Sequence, residues 1–159
     1  MNLPSPYLLF IGDATDPLSI KMAKSAADWS PEKCVGEFAL PGCEVTTGHP
    51  RISIQEGVDK GAKAFVLGFA NSGGFLSAHL IAPIIEALDA GLDIINGLHD
   101  KVSDIPEIAE KAAKLSRQLI DIRHPTTKFK TGKGTPRSGK RLLTVGTDCS
   151  VGKMYTTLS

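Results

Sequence analysis

Five short apolar runs, each ending in a turn and followed by a segment of helical spacing, restrict the fold more than any other feature of the chain. They are residues 7–11 (Tyr-Leu-Leu-Phe-Ile), 33–38, 64–70, 92–97 and 119–122. The strongest are continuously apolar rather than alternating. That is the pattern of strands buried on both faces, as in a parallel sheet. Asp16-Pro17 opens the first intervening helix, with Asp as cap and Pro at the first helical position, and Ile20, Ala23 and Ala27 continue it to Trp29. Ser53 caps a short helix closed by Gly61. Leu80, Ile81, Ile84, Ile85 and Leu88 mark one face of a longer helix that Gly91 stops. Asp104 is the expected cap of the last, whose inner face carries Ile108, Ala112 and Leu115. Strand and helix alternating in this way predict an α/β fold, a doubly wound, mostly parallel Rossmann-like sheet over residues 1–125.

The composition changes at residue 126. Residues 126–140 hold five Lys or Arg and no acidic residue, and read as an exposed basic linker. Leu142-Leu143-Thr144-Val145 then reads as a short buried strand, followed by a Gly-bearing loop and by Gly152-Lys153 at a helix start. Strand, loop and Lys-headed helix make a phosphate cradle, because backbone N–H groups converge on an anion and the Lys adds a mobile positive charge. Gly146, Thr147, Asp148, Cys149, Ser150, Val151, Gly152 and Lys153, with Met154 and Tyr155 next to them, are the candidate residues. The loop is one residue longer than the usual P-loop, and Met154 stands where a Ser or Thr normally holds magnesium. A thioether is a poor ligand for that hard cation, so the loop reads as a phosphate binder rather than a magnesium-dependent NTPase. Only a few residues follow it. The expectation is a truncated second domain over 141–159, poorly packed beyond Lys140, in a fragment that is inactive alone.

Ligands of open parallel sheets sit beyond the carboxyl ends of the strands. Gly12-Asp13-Ala14-Thr15-Asp16, after the first strand, lacks the dinucleotide spacing and reads as a capped turn. Asn71, Ser72, Gly73 and Gly74, after the third, read either as an anion-binding loop or as a sharp turn. His99, after the fourth, is the candidate base or orienting donor, against a structural role. His79 reads as structural, and His124 has no evident partner.

The bulk numbers exclude several function classes. A net charge of +1 gives no footing for nucleic acid or an anionic membrane. No apolar run approaches the length of a membrane span. Three cysteines, an odd number at no zinc spacing, suit a reducing cytoplasm and imply no metal site.

Residues 146–157, with Lys128-Phe129, Thr131-Gly132-Lys133-Gly134, Arg137-Ser138-Gly139-Lys140-Arg141, Ala70-Asn71-Ser72-Gly73-Gly74, Ala90-Gly91-Leu92-Asp93, Gly97-Leu98-His99, Asp104-Ile105-Pro106 and Arg123-His124-Pro125, resemble the DgcN-type D-glutamate N-acetyltransferase family. The resemblance covers nearly the whole chain. It implies a Rossmann-like domain followed by a P-loop domain, and acetyl transfer from acetyl-CoA to the amine of D-glutamate in D-amino-acid catabolism. On that basis the P-loop segment would hold the phosphates of acetyl-CoA, assisted by Arg137, Lys140 and Arg141. The first domain would hold the amino acid, with Asn71, Ser72 and His99 as candidates. The longer loop is also similar to that of dethiobiotin synthetases, which keeps an ATP- and magnesium-dependent ligase or kinase open as the alternative. A non-catalytic ligand-binding module is the third reading for this chain. The partner expected is a small molecule, and the oligomeric state, a homo-oligomer included, is left open.

Overall fold

The structure is a computed structural model that describes residues 3–70, 76–124, 138–140, 142–145 and 153–158, with the backbone alone at 154, 155 and 158. The chain divides into two compact units, Met1–Thr126 and Thr127–Ser159.

The first unit is built on β1 (Tyr7–Phe10), β2 (Cys34–Phe38), β3 (Ala64–Leu67), β4 (Asp93–Asn96) and β5 (Leu119–Asp121), all parallel, in the order β2-β1-β3-β4-β5. Its helices are α1 (Lys21–Trp29), α2 (Ile54–Asp59), α3 (Ala78–Asp89) and α4 (Pro106–Leu115). This is the predicted α/β fold, and the strands fall within the five apolar runs. The order 2-1-3-4-5 reverses direction between β1 and β3, so the crevice of a doubly wound sheet opens there.

Period-two alternation sorts the core into two layers. Leu8 and Phe10 of β1, with Phe65 and Leu67 of β3, face α2, α3 and α4 through Ile54, Ile84, Leu88 and Ile108. Leu9, Ile11, Ala64 and Val66 face the other way, against Ile20, Ala23 and Ala27 at α1. The carboxyl ends of β1, β2 and β3 converge on a phenylalanine cluster. Phe10 stacks on Phe65 at 4.9 Å and meets Phe69 edge-on at 5.2 Å and Phe38 at 5.5 Å.

Most local signals act as read. Asp16 caps a 3-10 turn, Pro17–Ile20, that leads into α1. Ser53 and Glu56 form a capping box, and the Ser53 N–H and hydroxyl hold the Glu56 carboxylate below its usual range. Gly91 takes φ 87° beyond α3.

Asp104 does not cap α4. Pro106 occupies the first helical position, and the residue before a proline is held extended. Ile105, at φ −91° and ψ 110°, is therefore the cap residue, and Asp104 closes a separate 3-10 turn, Val102–Asp104.

A signal the sequence hid is Glu37, on edge strand β2 and 1% exposed. Its carboxylate accepts from the Thr47 N–H (2.6 Å), the Thr47 hydroxyl (2.7 Å) and the Thr46 hydroxyl (3.0 Å), and Arg51 faces its other oxygen at 3.3 Å. Glu37 also exchanges backbone bonds with Pro50 and Ile52. The loop after β2 thereby covers the sheet edge, which would otherwise present unpaired N–H and C=O groups.

In the second unit α5 (Lys153–Leu158) forms where the sequence places a Lys-headed helix. The strand expected at 142–145 does not form. Leu142 is 97% and Leu143 81% exposed, and the segment has no regular structure. Among the described residues no strand pairs with it, and an unpaired strand leaves its backbone groups unsatisfied. The Thr157 hydroxyl bonds to that of Thr144 at 2.8 Å.

Candidate functional site

At the reversal point between β1 and β3 the carboxyl ends of the strands open into a cleft of about 350 Å³. Its floor is Ile11, Phe69 and Leu80, and Asp13, Thr15, Ser77 and His79 ring it with polar groups.

Each wall has a local cause. Gly12 leaves β1 at φ +62°, a conformation side chains rarely adopt, and turns the chain so that Asp13 follows at the rim. The Leu40 N–H bonds to the Gly12 carbonyl (2.8 Å) and the Glu44 N–H to that of Ala14 (3.0 Å), which fixes this turn to the loop after β2. On the opposite wall Gly68 follows β3. Its carbonyl accepts from the Ala23 N–H at 3.1 Å, and the Ala70 N–H donates to the Ser19 carbonyl at 2.6 Å. A Cβ on Gly68 would sit 2.4 Å from the Ala23 Cβ, so only glycine lets α1 approach this closely. The third wall is the first turn of α3, where His79 Nε2 lies 3.1 Å from Asp13 Oδ2.

A second depression, also about 350 Å³, lies beyond β4 and β5. His99, Asp100, Lys101 and His124 line it. Buried Asn96 donates to Asp121 Oδ1 and to the Asp100 carbonyl, both at 2.7 Å, and accepts from the Leu98 N–H at 3.0 Å. Burial alone would push the Asp121 carboxyl up. The bonds it accepts from Asn96, from the Ser103 hydroxyl and from the Val102 and Ser103 N–H groups outweigh that and hold it below its ordinary value. His124, which had no evident partner in the sequence, bonds through Nε2 to the His99 carbonyl at 2.9 Å. That bond pins the His99 backbone and leaves its ring exposed.

The predicted site residues are thus distributed unevenly. His99 lines the second depression and not the β1/β3 cleft. Asn71, Ser72, Gly73 and Gly74 lie outside the described residues, though Ala70, which precedes them in sequence, lines the cleft. Gly146, Thr147, Asp148, Cys149, Ser150, Val151 and Gly152 also lie outside them. Lys153 is the first residue of α5, and Met154 and Tyr155 follow on its backbone. Sequence reasoning missed Asp13 and His79 as a pair. The available signal was only the place of each, Asp13 just after β1 and His79 at the start of α3; that they meet follows from the strand order.

The surroundings of Cys34 disfavour its thiolate. Burial, and then the neighbouring Glu32 carboxylate, push its thiol up to about 11, and its Sγ donates to the Ser30 carbonyl at 3.6 Å. Among the described residues no group of His, Cys, Asp and Glu is arranged to hold a metal, and no helix is long and apolar enough to cross a membrane.

Two family profiles match the chain. One, described as a Rossmann-like domain of unknown function (DUF1611_N), matches residues 38–125; the other, the P-loop domain DUF1611_C, matches residues 128–159. A Pseudoalteromonas protein named D-glutamate N-acetyltransferase is 59% identical over 159 residues, covering 100% of this chain and 48% of its own. A protein of the same name from Tritonibacter scottomollicae is 43% identical over 157 residues, covering 99% of this chain and 47% of its own. The chain spans about half the length of these curated relatives. A crystal structure of a DUF1611 family protein from Anabaena variabilis superposes with a TM-score of 0.61 at 17% identity, covering 81% of this chain and 40% of that one, and shares the fold.

Proposed function

Because this chain belongs to the DUF1611 family, we propose that it is part of an N-acetyltransferase that moves the acetyl group of acetyl-CoA to the amine of D-glutamate. The observation that carries the reading is the 59% identity to a protein of that name across all 159 residues. The matched region covers the residues of both the β1/β3 cleft and the P-loop motif.

The geometry fits a small amino acid. Small-molecule sites span roughly 300–1,000 Å³, and the cleft of about 350 Å³ lies at the small end of that range. It takes an amino acid but not a whole nucleotide-bearing acyl carrier, so the acyl donor needs a separate grip. Residues 146–153 supply it through phosphate, with Lys153 as the point charge and Arg137, Lys140 and Arg141 assisting. Acyl transfer moves no phosphoryl group, so Met154 in the magnesium-binding position costs nothing. In the reaction the neutral amine attacks the thioester carbonyl. A C–N bond forms, the C–S bond breaks, and the leaving thiolate takes up a proton.

The test follows free CoA when the full-length gene product meets acetyl-CoA and D-glutamate, with residues 1–159 assayed alongside. D-glutamate-dependent release by the full-length product supports the reading, and Lys153→Ala should raise KM for acetyl-CoA at least tenfold, the loss of about one charge-assisted bond. Intact acetyl-CoA together with magnesium-dependent ATP turnover would overturn it in favour of an ATP-dependent ligase or kinase.

A further inference from the structure

We propose that the Asp13–His79 pair receives the proton of the acceptor amine in the β1/β3 cleft, with His79 as the base and Asp13 as its positioning residue; this rests on the acetyl-transfer reading above.

Three observations converge on the pair. The first is its place. Asp13 follows β1, His79 opens α3 after β3, and the two meet at 3.1 Å across the mouth of the reversal-point cleft. The second is the chemistry of the contact. A carboxylate only accepts hydrogen bonds, so in the neutral ring the bond to Asp13 requires the proton on Nε2. Nδ1 is then left as the ring's acceptor, the atom that can take a proton. The third is the floor. Ile11, Phe69 and Leu80 are buried apolar groups under the rim. An amine seated over them loses water contacts, which disfavours its ammonium form and eases transfer.

The other histidines do not compete. His124 commits Nε2 to the His99 carbonyl. His99 lines the second depression with its ring exposed. His49 lines neither cavity. Asp13 is also the only acidic or basic side chain besides His79 among the described residues lining the cleft. Both side chains are about half exposed to solvent, so this contact is a weak clamp.

The step balances as follows. His79 Nδ1 removes one proton from the attacking nitrogen as the C–N bond forms. As the C–S bond breaks the CoA thiolate takes up one proton from solvent, and His79 returns its proton to solvent, so neutral amine and thioester become amide and thiol with no net change in protons.

The experiment compares wild type with His79→Gln, His79→Ala and Asp13→Asn in the full-length gene product. Glutamine still donates to Asp13 but cannot take the proton. The expected result is a kcat lower by about 10²–10⁴-fold in His79→Gln, the usual yield of a positioned base. KM for both substrates should stay within about threefold of wild type and the melting temperature within a few degrees. Imidazole added to His79→Ala should restore part of kcat, and Asp13→Asn should lose kcat less steeply. Retained kcat in His79→Gln would overturn the proposal and leave the acetyl-transfer reading standing. So would a fall in kcat that tracks a large fall in melting temperature and that imidazole does not rescue. A wild type that releases no CoA with D-glutamate would overturn both.

Discussion

Asp13 and His79 are 66 positions apart in the chain, yet the carboxylate of one and the imidazole of the other meet at 3.1 Å over the crevice between β1 and β3. Both side chains are about half exposed, at 52% and 55%. Solvent screens such a pair, so its energy is small. Asp13→Ala should change the urea midpoint by the equivalent of less than about 1 kcal/mol. A larger loss would make the contact a structural clamp.

Gly68 and Gly97 both follow central strands, and both would bring a Cβ to 2.4 Å from a neighbour. The neighbours differ in their freedom to move. At Gly68 the Cβ meets the Cβ and backbone of Ala23 on α1, which cannot retreat without moving the helix. At Gly97 it meets the Met22 Sδ, near the end of a flexible side chain. Gly68→Ala should cost about 1–3 kcal/mol, the range for overpacking, and Gly97→Ala clearly less. Equal losses in chemical denaturation would contradict this.

Asp121 braces the second depression from β5 through Asn96, Val102 and Ser103. Its folded carboxyl titrates below its ordinary value of 3.8. The stability it contributes is therefore complete above the unfolded value and is lost as pH falls through the folded one. The difference in stability between wild type and Asp121→Asn should be constant from neutral pH down to about 5. It should shrink below about 4, where the unfolded chain takes up the proton. A difference that stays level through that window would show that the hydrogen bonds do not depend on the charge.

Cys34, with its thiol raised from 9.0 to about 11, should be alkylated about a hundredfold more slowly than a free cysteine at pH 8. Burial is the larger cause, so Glu32→Gln should recover only a minor part of the rate. Site-resolved mass spectrometry after timed iodoacetamide treatment reads both. Rapid labelling at Cys34 would contradict the half-buried, protonated thiol.

Glu37→Gln keeps an acceptor but removes the charge that Arg51 and the Thr46 and Thr47 donors face. A cost of about 1–3 kcal/mol is expected in thermal or urea unfolding, the usual penalty for mismatching a buried polar group. Amide protection should drop first in the loop after β2, because that loop hangs on this carboxylate. Unchanged protection there would remove Glu37 from that role.

How much of this was legible depends on the range of the interaction behind each feature. The alternation of buried strands with amphipathic helices was legible because hydrophobic period and capping are local. Residues 7–11 and 64–70 announce the central strands, Ser53 announces α2, and Gly91 announces the end of α3. Asp104 misled because the pre-proline restriction on Ile105 outranks the side chain's capping preference. The run 142–145 misled because apolarity announces a strand only where a neighbouring strand accepts it, and none among the described residues does.

The sequence by itself therefore determined the class of fold, its element order and the family, since each follows from short-range pattern or from a motif of fixed spacing. It placed His99 beside a strand end and the P-loop residues in one contiguous stretch. Only the tertiary structure decided the strand order 2-1-3-4-5, which puts β1 beside β3 and opens the crevice between them. From that one adjacency come the closeness of Asp13 and His79, the separation of His99 into another depression, and the packing of Ala23 on Gly68. Long-range pairing leaves no periodic trace in the chain, because its partners are joined by packing rather than by spacing.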